Sequence, residues 1–159
     1  MRLSHSNEGD FKMFSFRRAA DADMDGIKDL LGSCGLPYQD IAPSSGILFM
    51  VAESEGRLAG VCGAEVRPDA VLLRSLAVFM SFRNKGLGRM LAREIMKETA
   101  GENRLPMFIL TLTAETYLAK LGFRRIPRED VPESIRKTGQ FRGVCPKTAI
   151  SMIYSTESA

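Results

Sequence analysis

The stretch that decides the fold is LRSLAVFMSFRNKGLGRML, residues 73–91. Its first part belongs to the apolar run from Ala70 to Val78, which predicts a central strand that is buried on both faces. After Gly86, apolar residues recur at helical spacing and predict a helix that continues to about Ala100. The stretch therefore predicts a buried strand, a short loop and a helix in immediate succession.

The loop and the start of this helix have the chemistry of an anion site. The first N–H groups of a helix lack intrahelical acceptors and carry partial positive charge. Gly86 and Gly88 have no side chains, so a ligand can approach the backbone closely. The cationic side chains nearby are Arg83, Lys85 and Arg89. These features predict a pyrophosphate site, and the spacing matches neither a Walker A loop nor a dinucleotide fingerprint.

Outward from this unit, the sequence predicts further strands and helices. The strands are predicted at Phe14–Arg18, Ile47–Glu53, Leu58–Val66, Leu105–Thr111 and Lys147–Ser155, with extended structure at Phe123–Ile126. The helices are predicted from Asp21 or Asp23 to Cys34, from Thr113 to Leu121 and from Pro132 to Lys137. This order indicates an α/β fold with a mixed sheet and helices on its faces.

The length and composition indicate one folded domain. The chain has 159 residues, of which 45% are hydrophobic and 26% are charged. Residues 1–12 are polar and predict a mobile arm or an upstream extension, so residues 13–159 form the expected domain. The net charge is +3 without a dense run of Lys and Arg, which disfavours nucleic acid as a partner. Because no apolar stretch resembles a membrane span or a secretory signal, we expect no membrane partner and a cytoplasmic location.

Cysteine and histidine usage disfavours several chemistries. Cys34, Cys62 and Cys145 are widely separated, so we expect buried thiols in a reducing compartment rather than disulfides or a zinc site. His5 is the single histidine of the sequence and lies in the polar arm. Catalysis by a Ser-His-Asp or Cys-His arrangement is therefore disfavoured, and no metal is expected.

Three separated motifs resemble the GNAT superfamily of N-acetyltransferases. Residues 83–88 (RNKGLG) resemble its acetyl-CoA signature, in which glycines follow Arg or Gln at fixed spacing. Residues 76–78 (LAV) resemble its fourth strand, and residues 119–123 (AKLGF) resemble the end of its last motif helix. The resemblance covers nearly the whole chain and implies a GNAT-type mixed, mostly antiparallel central sheet flanked by helices.

The same resemblance implies acetyl-CoA as co-substrate. Backbone amides of Lys85–Gly88 would hold the pyrophosphate, and strand residues Leu76, Ala77 and Val78 would hydrogen-bond the pantetheine arm. The other residues implied at this site are Arg83, Asn84, Leu87 and Arg89. The strand would separate from the Leu105–Thr111 strand, with the thioester in the gap. The acetyl group would pass directly from the thioester to a bound amine.

The sequence departs from the family at the position of the general acid. Many members have a tyrosine four residues before the glycine that ends the last motif helix, and that position is Leu118 here. Tyr117 lies about 100° away around the helix and should face elsewhere. The alternative proton donors are Thr111, Thr113 and a bound water. The candidates for the general base are Glu65 and Glu115, although a solvated surface position is the usual one for such carboxylates.

Arg74 interrupts the apolar run of its strand. A buried guanidinium needs an anionic partner, and an acidic group on the acceptor would suit its bidentate geometry. We therefore expect Arg74 and its neighbour Ser75 to bind the acceptor. The alternative is an internal salt bridge to Glu53 or Glu65.

Several segments resemble a narrower subgroup. Residues 72–78, residues 111–115 and the tail from Val131 to Ala149 are similar to amino-acid acetyltransferases related to N-acetylglutamate synthase, and more closely to those of bacterial arsenic-resistance operons. The resemblance implies a small-molecule amine as partner, namely an amino acid or an acidic amino-acid analogue, and it allows a homodimer. A protein N-acetyltransferase and a non-catalytic acyl-CoA sensor are the alternatives.

Overall fold

A seven-stranded sheet forms the centre of the computed structural model, which describes residues 13–100, 104–144 and 147–154. The strands are β1 (Ser15–Arg18), β2 (Leu48–Ser54), β3 (Arg57–Val66), β4 (Val71–Val78), β5 (Met107–Thr111), β6 (Arg124–Arg125) and β7 (Ile150–Tyr154). Their order across the sheet is β1-β2-β3-β4-β5-β7-β6. Neighbouring strands are antiparallel except β4 and β5, which are parallel. The mixed, mostly antiparallel α/β fold expected from the sequence is confirmed.

Helices lie against both faces of this sheet. The α-helices of the described residues are α1 (Met24–Ser33), α2 (Leu87–Ala100), α3 (Glu115–Leu121) and α4 (Glu133–Arg136). A 3-10 turn at Asp21–Asp23 leads into α1, and the Asp23 carboxylate accepts the Ala20 N–H at 2.7 Å. At the other end of the chain, a π-helical segment, Gln140–Val144, follows α4. The predicted elements are therefore present in the predicted order, although the extended segment at Phe123–Ile126 shortens to β6.

Parts of the expected domain organisation fall outside the described residues. The predicted arm, residues 1–12 with His5, lies there, and so does Cys145. The end of the predicted last strand, Ser155, also lies there. The division of the chain into an arm and a domain of residues 13–159 therefore stays a prediction.

Apolar side chains from three segments cover the sheet. Helix α2 packs against one face of the sheet through Leu87, Leu91 and Ile95, each of which is at most 1% exposed. On the opposite face, α1 packs through Ile27, Leu30 and Leu31 against Val51, Val61 and Ala77. The segment around α4 packs through Val131 and Ile135 against Leu72 and Phe108. Full burial of one such aliphatic side chain contributes about 1.5–3 kcal/mol, so these contacts hold α1 and α4 firmly against the sheet.

Strands β4 and β5 are paired over only part of their length. Val71 lies opposite Met107 and Leu72 lies opposite Phe108, and no later pair joins the two strands in the described register. Strand β4 continues to Val78 and β5 continues to Thr111. The two strands therefore enclose a gap along most of β4, as the family resemblance implied.

A bulge in β4 accompanies this separation. Between Gly63 and Val61, β3 advances by two residues, whereas its partner β4 advances by three, from Arg74 to Ala77. The extra residue lies at Ser75, whose φ of 58° is in the left-handed region that non-glycine residues rarely adopt. Because of the extra residue, the backbone groups after Ser75 face the opposite side of the strand from the one that simple alternation would give.

The packing of α2 on β3 depends on a residue without a side chain. A Cβ built at Gly60 would lie 2.8 Å from Leu91 Cδ1 and 3.0 Å from the Ala77 carbonyl oxygen. Gly60→Ala should therefore lower the free energy of unfolding, measured by urea denaturation, by about 1–3 kcal/mol. The control is Gly26→Ala in α1, where the nearest atom is 3.6 Å away and alanine should add about 0.5–1 kcal/mol. Equal changes in the two variants would contradict this account of the packing.

Candidate active site

A cavity of about 620 Å³ occupies the gap between β4 and β5. On one side it is bordered by the β4 residues Arg74, Ser75, Leu76 and Val78, and on the other by residues 109–114, from β5 to the turn before α3. The remaining lining comes from Cys34–Pro37, from the loop and start of α2, from Phe82, Tyr117, Leu118, Gln140 and Ala149. One cavity thus contacts both the predicted phosphate-binding loop and Arg74.

The loop before α2 has the backbone shape that an anion site needs. Asn84 and Gly86 both have positive φ, 65° and 78°. A Cβ built at Gly86 would meet nothing within 4 Å, so the backbone conformation, and not lack of space, is what favours glycine there. Helix α2 begins at Leu87, which is 1% exposed and anchors the helix start in the core. The unpaired N–H groups of its first turn therefore lie at the cavity.

Most of the residues that the sequence assigns to coenzyme binding border the cavity. These are Leu76, Val78, Arg83, Asn84, Gly86, Leu87 and Gly88. The side chains of the other three, Ala77, Lys85 and Arg89, are not part of the lining. Ala77 is 4% exposed and packs beneath α1, and the Arg89 guanidinium donates to the Lys120 carbonyl at 3.4 Å. Arg83 Nε donates to the Val78 carbonyl at 3.0 Å, which ties the loop back to the end of β4.

Tyr117 borders the cavity, and the prediction that it faces elsewhere is wrong. Its hydroxyl occupies the space in which Gly88 would carry a Cβ, at the second residue of α2. Leu118, which the family pattern places at the acid position, is 2% exposed and packs in the core beneath α2. Burial raises the pKa of the Tyr117 phenol, so the hydroxyl keeps its proton and can donate it in a hydrogen bond. Tyr117 is therefore a polar group at the α2 end of the cavity.

The three residues predicted to be catalytic lie in two different places. Thr111 and Thr113 border the cavity, and Thr111 Oγ1 accepts the Ala114 N–H at 2.9 Å. Glu115 is not part of the lining, because its carboxylate forms a bidentate pair with Arg125 at 3.0 and 2.9 Å. The Arg125 guanidinium holds the pKa of Glu115 below its usual range, which makes it a poorer base. The structure thus contradicts Glu115 as general base and keeps the two threonine hydroxyls at the site.

Arg74 is held by internal carboxylates. Its Nη1 and Nη2 donate to the two Asp40 oxygens at 2.6 and 2.7 Å, and Nη1 also donates to Glu65 Oε2 at 3.0 Å. Its Nε donates to the Ser75 hydroxyl at 3.1 Å. The salt-bridge alternative is therefore observed with Glu65, whereas Glu53 pairs with Arg17 on the surface. Glu65, the other candidate base, is likewise bound to a guanidinium and is not part of the cavity lining.

These pairs determine the charge state of the cluster. Hydrogen bonds from Arg74 hold the pKa of Asp40 below its usual range, and the attraction of the guanidinium outweighs the cost of partial burial. Burial alone would lower the pKa of Arg74, but Asp40 and Glu65 raise it overall. Asp40 is therefore a carboxylate and Arg74 a guanidinium cation near neutral pH.

Sequence reasoning missed two residues, Asp40 beside Arg74 and Gln140 at the cavity. Asp40 lies in the loop between α1 and β2, which has no hydrophobic periodicity, so no sequence signal joins it to Arg74. Gln140 is 4% exposed and borders the cavity from the π-helical segment. A buried glutamine in a short irregular helix near the end of the chain gives no distinct pattern in one sequence.

Cys34 and Cys62 carry free thiols in different settings. Cys62 is buried in β3, and burial raises its pKa to about 12, so it stays protonated. Cys34 borders the cavity, with Arg83 Nη2 3.4 Å from its sulfur.

Within residues 13–100, 104–144 and 147–154, no three His, Cys, Asp or Glu side chains are grouped to hold a metal ion. No helix of the same residues is long and apolar enough to cross a membrane.

A family comparison agrees with this geometry. Residues 45–125, just over half of the chain, match the model of the GNAT acetyltransferase domain. The chain belongs to the GNAT acetyltransferase family. The matched residues include β4, the loop before α2 and α3, so this GNAT domain contains both walls of the cavity.

Individual relatives are similar over part of their length. An uncharacterized N-acetyltransferase of Chlorobaculum tepidum is 34% identical over 88 residues, 55% of this chain and 56% of the relative. The N-acetylaspartate synthetase of Danio rerio is 35% identical over 89 residues, 52% of this chain and 31% of the relative. N-acetylglutamate synthase of Neisseria gonorrhoeae, solved with coenzyme A and L-arginine, superposes with a TM-score of 0.75 at 21% identity, over 90% of this chain and 33% of that one. The structural match shows the GNAT fold, and this chain spans about half or less of these proteins.

In this GNAT domain, Gly88 should be required because of Tyr117. A methyl group at position 88 would collide with the phenol and move it within the cavity that borders the predicted pyrophosphate site. Gly88→Ala should weaken acetyl-CoA binding by about fivefold in the otherwise unchanged chain and by under about twofold in a Tyr117→Phe background, as measured by calorimetry. An equal loss in the two backgrounds would mean that a direct approach of the ligand to the backbone is what requires glycine.

Proposed function

We propose that this chain is an acetyl-CoA-dependent N-acetyltransferase whose acceptor is a small amino acid or amino-acid analogue with an acidic group. The observation that carries the proposal is the continuity of one cavity from the start of α2 to Arg74. A pyrophosphate site for the coenzyme and a carboxylate site for the acceptor would meet in the gap between β4 and β5.

At the coenzyme end, the proposal uses the free amides of the α2 start for the pyrophosphate. Leu76 and Val78 would hydrogen-bond the pantetheine arm through their backbone groups. Solved relatives support this choice, since the Neisseria gonorrhoeae enzyme was crystallised with coenzyme A. The residues proposed for this end are Leu76, Ala77, Val78, Arg83, Asn84, Lys85, Gly86, Leu87, Gly88 and Arg89.

The proposed reaction is a direct transfer. The neutral amine of the acceptor attacks the thioester carbonyl, a carbon–nitrogen bond forms, and the carbon–sulfur bond breaks to release coenzyme A as thiolate. The nitrogen loses one proton to solvent, and the thiolate gains one. Thr111 and Thr113 supply hydroxyl groups beside the gap for the second transfer. With an ordinary thiol pKa of about 8.5, the leaving thiolate needs only a weak donor.

At the acceptor end, Arg74 and Ser75 are the proposed ligands for the acidic group. A guanidinium forms the strongest and most directional pairs with carboxylates and similar oxyanions. The relatives support this acceptor class, since one is an N-acetylaspartate synthetase and another was solved with coenzyme A and N-acetyl-glutamate. The products in both names are acetylated acidic amino acids.

The biological setting belongs to the same proposal. The similarity of residues 131–149 to acetyltransferases of arsenic-resistance operons supports a role in arsenic resistance or in amino-acid metabolism. A cytoplasmic location and the absence of a metal were expected from the sequence, which also allowed a homodimer, and all three rest on that reasoning alone.

The proposal is tested by coenzyme A release over a panel of amines. Glutamate, aspartate or an oxyanion analogue should be acetylated with a kcat/KM at least about tenfold above that of its uncharged amide. Arg74→Lys should reduce this preference, because lysine keeps the positive charge but cannot donate two parallel hydrogen bonds to a carboxylate. The matched control is Arg17→Lys, which changes a bidentate ion pair on the surface away from the cavity.

The same assay separates the alternatives. Release only with peptide N-termini or lysine side chains would indicate a protein N-acetyltransferase. Calorimetric binding of acetyl-CoA without release in the presence of any amine would indicate a sensor. Equal loss of both substrates in Arg74→Lys would show that Arg74 is structural.

A further inference from the structure

The Asp40 carboxylate covers the Nη1 and Nη2 edge of the Arg74 guanidinium, although Asp40 itself is not among the residues that line the cavity. Its two carboxylate oxygens lie 2.6 and 2.7 Å from Nη1 and Nη2, which is the bidentate arrangement that a bound carboxylate adopts. The Arg74 side chain is 0% exposed, so an external anion meets a guanidinium that is already covered. An acceptor's acidic group can form the same pair only if Asp40 moves away.

The two carboxylates on Arg74 differ in how firmly they are held. Glu65 belongs to β3, is 10% exposed, and forms a second ion pair with Arg67 at 3.2 Å. Asp40 is 25% exposed and lies in the loop between α1 and β2, outside any strand or helix. The Glu65 carboxylate would have to leave two guanidinium groups, whereas the more exposed Asp40 carboxylate pairs with Arg74 and can turn toward water. Asp40 is therefore the partner that can be displaced.

The Asp40 loop also borders the cavity directly. Its first residues, Gly35, Leu36 and Pro37, are part of the lining, and Ile41, one residue after Asp40, is 2% exposed and packs in the α1 cluster. Within this loop, the buried Ile41 side chain holds the backbone in place next to the ion pair between Asp40 and Arg74. Movement of the Asp40 side chain does not require the whole loop to detach.

We propose that Asp40 is a specificity-determining residue whose carboxylate occupies the acceptor's place on Arg74 and exchanges with the acceptor's acidic group. This inference rests on the proposed function, since it presupposes that the acceptor carries such a group near Arg74. The exchange conserves charge at the guanidinium, because one carboxylate leaves as another arrives. The displaced Asp40, which is already partly exposed, becomes hydrated.

Selectivity follows from this competition. An acidic acceptor replaces both hydrogen bonds of Asp40, whereas an uncharged amine has no group that can do so and would leave the cluster intact. The Asp40 carboxylate lowers the apparent affinity for every acceptor that needs Arg74. Only the fraction of protein molecules in which Asp40 has left Nη1 and Nη2 can bind such an acceptor. Asp40 thus sets how strongly the site prefers acidic acceptors, because it weakens their binding and leaves the binding of neutral amines unchanged.

The test compares Asp40→Asn with Glu65→Gln. The measured quantity is the ratio of KM for an acidic acceptor to KM for its uncharged amide, taken with saturating acetyl-CoA. In Asp40→Asn the ratio should fall by about fivefold, because the neutral amide cannot hold the guanidinium as a bidentate anion. In Glu65→Gln the ratio should equal or exceed that of the unaltered protein, because Asp40 then becomes the main partner of Arg74. For each variant, calorimetry measures the affinity for acetyl-CoA and a thermal melting curve shows whether the protein is folded.

The outcomes are distinguishable from those of the proposed function. If the unaltered protein acetylates an acidic amine but the ratio rises or stays in Asp40→Asn, Asp40 supports Arg74 rather than competes for it, and the inference is overturned. Parallel shifts in both variants would also overturn it. Should Asp40→Asn fail to fold, Asp40→Ser is measured instead, and failure of both to fold would show an obligatory structural pair and contradict exchange.

Discussion

The separation of β4 from β5 is the constraint on which the site depends. The strands pair in parallel at Val71 and Leu72 and then diverge, while the extra residue at Ser75 alters which backbone groups of β4 face the gap. A parallel sheet would otherwise satisfy these groups internally, so the fold leaves polar backbone at the centre of the molecule for a ligand. The cavity, the loop before α2 and the position of Arg74 all follow from that gap, because each lies along it.

The placement of Arg74 carries an energetic cost that the cluster offsets. A buried guanidinium without partners is strongly unfavourable, and removal of one partner of a buried ion pair typically costs about 3–5 kcal/mol. Asp40 and Glu65 supply the counter-charge from a loop and from a strand. The space for the arginine stem comes from Gly63, its cross-strand neighbour, where a Cβ would lie 3.4 Å from Arg74 Cγ and 2.8 Å from Phe49. The cluster thereby links the acceptor side of the cavity to the loop that borders it.

Local signals in the sequence were sufficient for the fold and for the position of the loop before α2. Hydrophobic periodicity gave the strands and helices, and the glycines after Arg83 marked the start of α2. Features that depend on tertiary contacts were not predictable in this way. The direction of Tyr117 depends on how the short helix α3 is rotated against α2, Glu115 is engaged by Arg125 from another element, and Asp40 reaches Arg74 from an irregular loop. One sequence contains no record of such pairings, although it did allow that Arg74 would be paired with Glu65.

Amide hydrogen exchange with and without acetyl-CoA is the most direct test of the central claim that the β4–β5 gap receives the coenzyme. The Phe79 N–H bonds the Ala59 carbonyl of β3, so alternation directs the backbone groups of Val78 and Leu76 toward the gap. The account predicts that acetyl-CoA slows exchange at Leu76 and Val78, as well as at the first amides of α2, by at least about tenfold, while β2 is unchanged. Protection limited to α2, with β4 unaffected, would contradict it.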